Sequence, residues 1–190
     1  MNTKSEKLKV KSEEYKSLLP FTFHLLPVTG FTLVELLISI TILGILATIG
    51  IGNYINSQVK ARDAQRKANL TQIKNALELY YNDYGKYAGA SVGGRIMACP
   101  SKPTATDCDW GSDVMTDENT TYLNPVPKDP KDPGLSYFYK VSSDGSKFQL
   151  FARLENSNDP DVMSGLSSTC GSQPCNFGVT STNTNLGESI

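Results

Sequence analysis

The sequence predicts an α+β protein in which a long amino-terminal α-helix packs against a small antiparallel β-sheet head. A helix-compatible stretch of about 50 residues begins near Phe31 and changes partway from apolar on all sides to apolar on one side only. Two segments of alternating hydrophobicity follow around a turn near Gly145, which is typical of a β-hairpin.

The first element is an apolar stretch. Residues 31–52 contain no Lys, Arg, Asp or Pro and would extend about 33 Å as a helix, enough for a hydrocarbon core of roughly 30 Å. We therefore predict a transmembrane and assembly helix over residues 31–54. Glu35 is the one charged side chain in this stretch, and a carboxylate within a membrane span is costly and usually functional.

The second element, residues 55–86, is predicted to continue the helix as an amphipathic segment under the head. Its apolar positions recur at helical spacing: Val59, Leu70, Ile73, Leu77, Tyr80 and Tyr84. We expect the helix to end near Gly85 in a left-handed cap. The basic residues from Lys60 to Lys74 are interpreted as a solvated or intersubunit face, with contact to DNA or anionic lipid as the less favoured alternative.

The order of residues at the start of the helix carries the functional prediction. The sequence Gly30-Phe31-Thr32-Leu33-Val34-Glu35 resembles the precursors of type IV pilins and type II secretion pseudopilins, which have a Gly, an aromatic residue and a Glu at this spacing. The resemblance implies cleavage between Gly30 and Phe31 by a prepilin peptidase, N-methylation of Phe31, and retention of the helix for assembly. It also implies that Glu35 pairs with the terminal amine of a neighbouring subunit and sets the register between subunits.

Residues 1–30 are then the prepilin leader. Its five Lys give it the positive balance expected on the cytoplasmic side of a membrane. A plain membrane anchor, or a secretory signal cut near Gly52, would explain the apolar stretch but not the order of residues around Gly30.

Composition argues against catalysis and against nucleic acid as a partner. The chain has a net charge of -1, and removal of the leader leaves 13 basic and 16 acidic side chains. The charge therefore gives no general reason to expect DNA as a partner. The only histidine, His24, lies in the leader, so the mature chain has no imidazole for a catalytic triad or a zinc site.

Residues 87–190 are predicted to form the globular β head with its loops. Residues 87–119 are interpreted as an irregular loop region. The passage from Tyr122 to Pro130 resembles the one that precedes the sheet in pseudopilin heads. Residues 136–141 and 147–154 then alternate around a Ser-Asp-Gly-Ser turn and predict a β-hairpin, with Tyr137 and Tyr139 on one face and Phe138 on the other.

Four cysteines in an exported chain favour disulfides over a metal site, because their spacing lacks the CxxC pattern. Three pairings are possible. The favoured one joins Cys99 to Cys108 and Cys170 to Cys175, and the two crossed pairings remain as alternatives.

No cofactor is required by the sequence, but calcium is possible in the loop after the hairpin. Oxygen-bearing side chains cluster between Glu155 and Asp161, and Asp159 and Asp161 are the candidate ligands. Major pseudopilins carry a calcium site in the corresponding loop, whereas most such clusters are solvated turns.

The predicted function is that of a structural subunit, not an enzyme, that polymerises into a homo-oligomeric type IV pilus or pilus-like filament. Its expected partners are the prepilin peptidase and an inner-membrane assembly platform. The precursor would cross the inner membrane once, and the filament would lie in the periplasm or at the cell surface.

The paired cysteines and the Ser/Thr/Asn-rich tail, residues 164–190, favour a pilus with a decorated surface. The Pro-Lys-Asp-Pro passage at residues 127–130 favours the alternative, the major pseudopilin of a type II secretion system. A membrane-anchored binding module is the alternative from another class.

Overall fold

A computed structural model describes residues 30–100, 107–117 and 119–190 of the chain, with only the backbone at residues 49, 50 and 53. Apart from Gly30, the predicted leader lies outside the described residues, and so does His24. The chain divides into two units between Leu46 and Ala47. The sheets, the hydrophobic cores and the disulfides of the described residues all lie in the second unit.

The helix α1 extends from Leu33 to Tyr84. It is followed by Gly85, whose φ of 66° suits a residue without a side chain. The amide of Gly85 donates to the carbonyl oxygen of Tyr81 at 2.7 Å, so the predicted end of the helix is confirmed. Within the part of the chain that is described, no helix combines the length and the apolar character needed to cross a membrane.

Nine short strands follow α1 in the described residues. They are β1 Gly89–Ala90, β2 Ile96–Met97, β3 Met115–Thr116, β4 Thr121–Leu123, β5 Phe138–Val141, β6 Phe148–Ala152, β7 Thr169–Cys170, β8 Gln173–Pro174 and β9 Phe177–Thr180. β1 pairs with β2, β3 with β4 and β7 with β8, while β5, β6 and β9 form a three-stranded sheet in that order. All pairings are antiparallel, so the α+β class is confirmed.

The predicted hairpin is formed by β5 and β6, in which Val141 lies opposite Phe148. Its turn contains Gly145 at a φ of 71°. Tyr137 and Tyr139 enter the main core and Phe138 packs on the other face, as the alternation predicted.

The main core lies between α1 and the three-stranded sheet. The buried apolar side chains that α1 contributes are Leu70, Ile73, Ala76 and Leu77, whose spacing places them on one face of the helix. They belong to the same core as Tyr139, Phe148 and Leu150 of the sheet. Burial of each large apolar side chain stabilises the fold by roughly 1.5–3 kcal/mol.

The carboxy-terminal segment, residues 164–190, is folded onto the sheet. Strand β9 lies beside β6, with Val179 opposite Leu150. The side-chain amide of Gln149, a buried residue of β6, donates to the carbonyl oxygens of Asn185 at 2.6 Å and Glu188 at 2.7 Å. The interpretation of this segment as a tail was wrong, because it supplies the third strand and partners for a buried amide.

The disulfides Cys99–Cys108 and Cys170–Cys175 confirm the favoured pairing. Cys99 and Cys108 belong to the main core. Cys170 and Cys175 pack with Phe151 on the opposite face of the sheet, which explains why β6 is buried on both faces.

Candidate functional site

The predicted cleavage site lies directly before α1. Gly30 and Phe31 are exposed, and 82% of the surface of Phe31 is accessible. Thr32 and Glu35 then form a capping box. The hydroxyl of Thr32 donates to Glu35 Oε2 at 2.7 Å, its amide donates to the same oxygen at 2.9 Å, and the amide of Glu35 donates to Thr32 Oγ1 at 3.2 Å. The Glu35 carboxylate is therefore held by its own helix start in this single chain.

The first half of α1 presents apolar side chains on all sides. Among the large exposed hydrophobic residues are Leu33, Val34, Leu36, Leu37, Ile38, Ile40, Ile42, Leu43, Ile45, Leu46, Ile51 and Ile55. A continuous apolar surface of this kind marks contact with lipid or with other protein chains.

Farther along α1, a largely buried group of charged side chains forms what we call the ionic cluster. Its members are Arg62, Asp63, Arg66, Asp129, Lys131 and Glu155. Arg66 lies at the centre and has no exposed surface. Its Nε and Nη2 donate to the two oxygens of Asp129 at 2.7 and 2.9 Å. Its Nη1 donates to Asp63 and to Glu155, in each case at 2.8 Å.

The carboxylates of Glu155 and Asp63 make further contacts that complete the cluster. Arg62 binds Glu155 through two hydrogen bonds of 2.7 Å, and Lys131 reaches the same carboxylate at 2.6 Å. Asp63 accepts the backbone amides of Glu155 at 2.9 Å and Asn156 at 2.8 Å. The cluster thus joins α1 to the segment before β5 and to the segment after β6.

The pKa values in the cluster follow these contacts. Burial by itself would lower the pKa of Arg66, but hydrogen bonds to Asp129 and Glu155 outweigh it and raise the pKa above its ordinary value. The hydrogen bonds from Arg62 hold the pKa of Glu155 well below its usual range, against the opposing effect of burial, with help from Lys131 and Arg66. Arg66 and Glu155 therefore stay charged at neutral pH.

The assignment of the basic residues of α1 to a solvated face was wrong for Arg66. Asp63, Arg66 and Leu70 are spaced by three and four residues, so the two charged residues continue the buried stripe of the helix. This spacing, and the acidic residue of the Pro-Lys-Asp-Pro passage, Asp129, were the signals available in the sequence. Because Arg62 and Arg66 are bound to carboxylates of the same chain, they do not form a free basic surface for DNA.

The candidate calcium ligands Asp159 and Asp161 are brought together by a lysine. The Nζ atom of Lys67 lies 2.6 Å from Asp159 Oδ1 and 2.6 Å from Asp161 Oδ2. The same ammonium lies 5.7 Å from the centre of the Phe177 ring. In the described residues, no group of three or more His, Cys, Asp or Glu side chains is arranged to hold a metal ion. Calcium binding stays a prediction.

Comparison with known proteins bears on the amino-terminal motif and on the head. A family model described as the prokaryotic N-terminal methylation motif matches residues 28–51. The type II secretion system core protein G of Aeromonas hydrophila is 30% identical over 102 residues, which are 54% of this chain and 66% of that protein. Core protein G of Vibrio cholerae is 29% identical over 123 residues, 65% of this chain and 77% of that protein.

The chain belongs to the type IV pilin and type II secretion pseudopilin family. The type IV major pilin PilA of Myxococcus xanthus is also similar, with 37% identity over 59 residues, which are 31% of this chain and 27% of the pilin. No solved structure matches the chain significantly. The capping box of Thr32 and Glu35 lies near the start of the segment that the methylation motif matches. The ionic cluster lies outside that segment.

Proposed function

We propose that this chain, a structural subunit of the pilin and pseudopilin family, is cleaved after Gly30 and polymerises through α1 into a homo-oligomeric filament. The observation that carries the proposal is the apolar first half of α1, whose large side chains are exposed in the single chain. Packing of this surface against other copies would keep it out of contact with water once the subunit has left the membrane. A prepilin peptidase and an inner-membrane assembly platform are the partners that this route requires.

Before assembly, the precursor is proposed to be held in the inner membrane by residues 31–54. The support for this step is the composition of residues 31–52, which have Glu35 as their one charged side chain. After processing, the subunit would leave the membrane for a filament in the periplasm or at the cell surface.

Glu35 is proposed to change partners during assembly. In the single chain its carboxylate is bound by Thr32. In a filament, the amine of a methylated Phe31 from a neighbouring subunit would pair with it, and the attraction between these charges is much stronger in an apolar filament core than in water. Such a pair would fix the register of neighbouring subunits.

The filament is more consistent with a secretion pseudopilus than with a type IV pilus. The alignment with Vibrio core protein G covers 123 residues, more than twice the 52 residues of α1, so it must include part of the head. The alignment with the Myxococcus pilin covers only 59 residues. The folded carboxy-terminal segment also removes one of the two arguments for a pilus.

The proposed role is structural and requires no cofactor. We propose in particular that the loop from Glu155 to Asp161 holds its shape without calcium, because the ammonium of Lys67 already bridges Asp159 and Asp161. The ammonium of Lys67, which carries one positive charge and three hydrogen-bond donors, lies where a calcium ion would lie between these carboxylates.

The function is tested by replacing Glu35 in cells that carry the native assembly machinery. We expect Glu35→Ala to lower the amount of the chain in a sheared filament fraction at least tenfold, whereas the membrane fraction still contains the cleaved chain. Mass spectrometry of the amino-terminal peptide should identify methylated Phe31. Ser39→Ala is the matched control, because the Ser39 hydroxyl donates to the carbonyl oxygen of Glu35 in its own helix at 2.7 Å.

An uncut chain that never enters the sheared fraction would contradict the proposal and support a membrane-anchored binding module. Normal filaments from Glu35→Ala would leave cleavage in place but would contradict the role of Glu35 in register.

A further inference from the structure

A groove of about 790 Å³ opens on the head beside the β1–β2 hairpin. Its volume lies within the range of roughly 300–1,000 Å³ that is usual for ligand sites. None of its lining residues belongs to the amino-terminal motif or to the ionic cluster. The filament role therefore does not account for it.

One side of the groove is apolar. Trp110 and Met97 line it, and 40% of the surface of Met97 is exposed. The indole of Trp110 packs edge-on against Tyr137 in the main core, with 5.7 Å between ring centres. This contact fixes the ring, which offers the groove a rigid aromatic surface at little cost in side-chain entropy.

The other side of the groove carries positively and negatively charged side chains that can form hydrogen bonds. Arg95 is held by Asp107 and Asp109, and both contacts use Nη1, so these carboxylates leave Nε and Nη2 as donors. Asp132 and Ser136 add a carboxylate and a hydroxyl. Within the described residues, Asp132 has no ion pair.

This combination selects among ligand classes. An anionic ligand would meet Asp107 and Asp132, and a cationic ligand would meet the guanidinium of Arg95. Hydroxyl groups both donate and accept, so they satisfy the arginine and the carboxylates together. The carbon-bound hydrogens on the face of a sugar ring suit contact with Trp110. We propose that this groove binds an uncharged oligosaccharide.

The proposal is tested by fluorescence, because Trp110 is the only tryptophan in the chain and so reports on the groove alone. The full processed chain is kept in lauryldimethylamine oxide, a detergent whose head group contains no sugar. Maltohexaose, cellohexaose and N-acetylchitohexaose are titrated to about 10 mM. At least one of them should produce a saturable change in Trp110 emission. Oligogalacturonate and pentalysine serve as anionic and cationic ligands and should produce none.

Two variants test whether the groove is the site. Asp132→Ala removes an exposed carboxylate from its wall, and we expect the dissociation constant to rise about tenfold or more. Asp161→Ala removes an exposed carboxylate outside the groove, and the constant should stay within about twofold. Circular dichroism would check that both variants are folded.

No saturable change with any of the three saccharides would overturn the proposal. Equal affinities of Asp132→Ala and the unsubstituted chain for the saccharide would also overturn it. Saturable binding of pentalysine in place of the saccharides would overturn it as well and would assign the groove to a basic peptide. These outcomes do not depend on whether the chain forms filaments.

Discussion

The side chain of Arg66 is charged and has no exposed surface. Moving such a charge out of water costs several kcal/mol, and four hydrogen bonds to three carboxylates offset this cost. A guanidinium suits the position because its planar fork matches the two oxygens of Asp129. Loss of Arg66 would leave the buried carboxylates of Asp129 and Asp63 without the guanidinium that balances their charge.

Replacing Arg66 with Met should therefore lower the free energy of unfolding by about 3–5 kcal/mol. This corresponds to a fall in Tm of roughly 6–20 °C, which thermal unfolding of the processed chain in detergent would measure. Lys60→Met is the matched control, since Lys60 is exposed, and it should change the free energy by less than about 0.5 kcal/mol. Equal Tm values for the two variants would show that the ionic cluster does not stabilise the fold.

Glu155 should make the folded chain sensitive to acid. Its pKa is lower in the folded state than its ordinary value of 4.5, chiefly because of the hydrogen bonds from Arg62. The unfolded chain therefore binds more protons, and the stabilisation is complete above pH 4.5 and is lost as the pH falls toward the folded-state pKa. Asp159, whose pKa Lys67 lowers, acts in the same direction.

Urea unfolding at pH 6 and pH 3 would measure this effect, and we expect the free energy of unfolding to be smaller at pH 3. Glu155→Gln should lower the stability at pH 6 and flatten the dependence on pH. A variant as pH-dependent as the original chain would assign the acid sensitivity to other groups.

At the scale of elements, the capping box stabilises the first turn of α1. Thr32→Ala removes the hydroxyl that binds Glu35 and should weaken the first turn by about 1 kcal/mol, whereas Thr32→Ser keeps the interaction. Hydrogen exchange of the amides of residues 33–36 in detergent would measure this. Exchange should be faster in Thr32→Ala than in Thr32→Ser, and identical rates would show that the box does not hold the helix start.

The loop after β6 gives a second prediction at this scale. Calcium should leave the Tm of the original chain unchanged, because Lys67 occupies the space between Asp159 and Asp161. Lys67→Met removes the ammonium, and calcium at ten times its dissociation constant should then raise the stability by about 1.4 kcal/mol. Magnesium is the control cation. A calcium-dependent rise in the Tm of the original chain would show that the loop is a calcium site despite Lys67.

Elements with strong local signals could be predicted from the sequence. The end of α1 at Gly85 and the β5–β6 hairpin follow from hydrophobic periodicity and from a glycine at each turn. Strand β9 was missed because its Phe-Gly-Val-Thr sequence is short, and its partner β6 lies 25 residues or more away along the chain.

At the scale of the whole molecule, the class of fold and the amino-terminal motif could be predicted because both depend on local order in the sequence. The ionic cluster could not, because it depends on pairing among three distant segments. Charged residues are usually exposed, so the helical spacing of Arg66 before Leu70 is not enough by itself to predict that Arg66 is buried. The structure explains why an arginine is tolerated on the buried face of α1, because it places Asp129 and Glu155 where they pair with Arg66.

The place of β9 in the sheet has a consequence for export. Strand β6 needs β9 on one side, and the side-chain amide of Gln149 needs the carbonyl oxygens of Asn185 and Glu188. In the proposed topology, a chain that enters the membrane by its amino-terminal segment delivers these residues after the other strands of the head. The head thus completes its sheet only after residues 177–188 have crossed. A chain that stops short keeps an open strand edge and an unpaired amide, which makes it a substrate for proteolysis before it can be added to a filament.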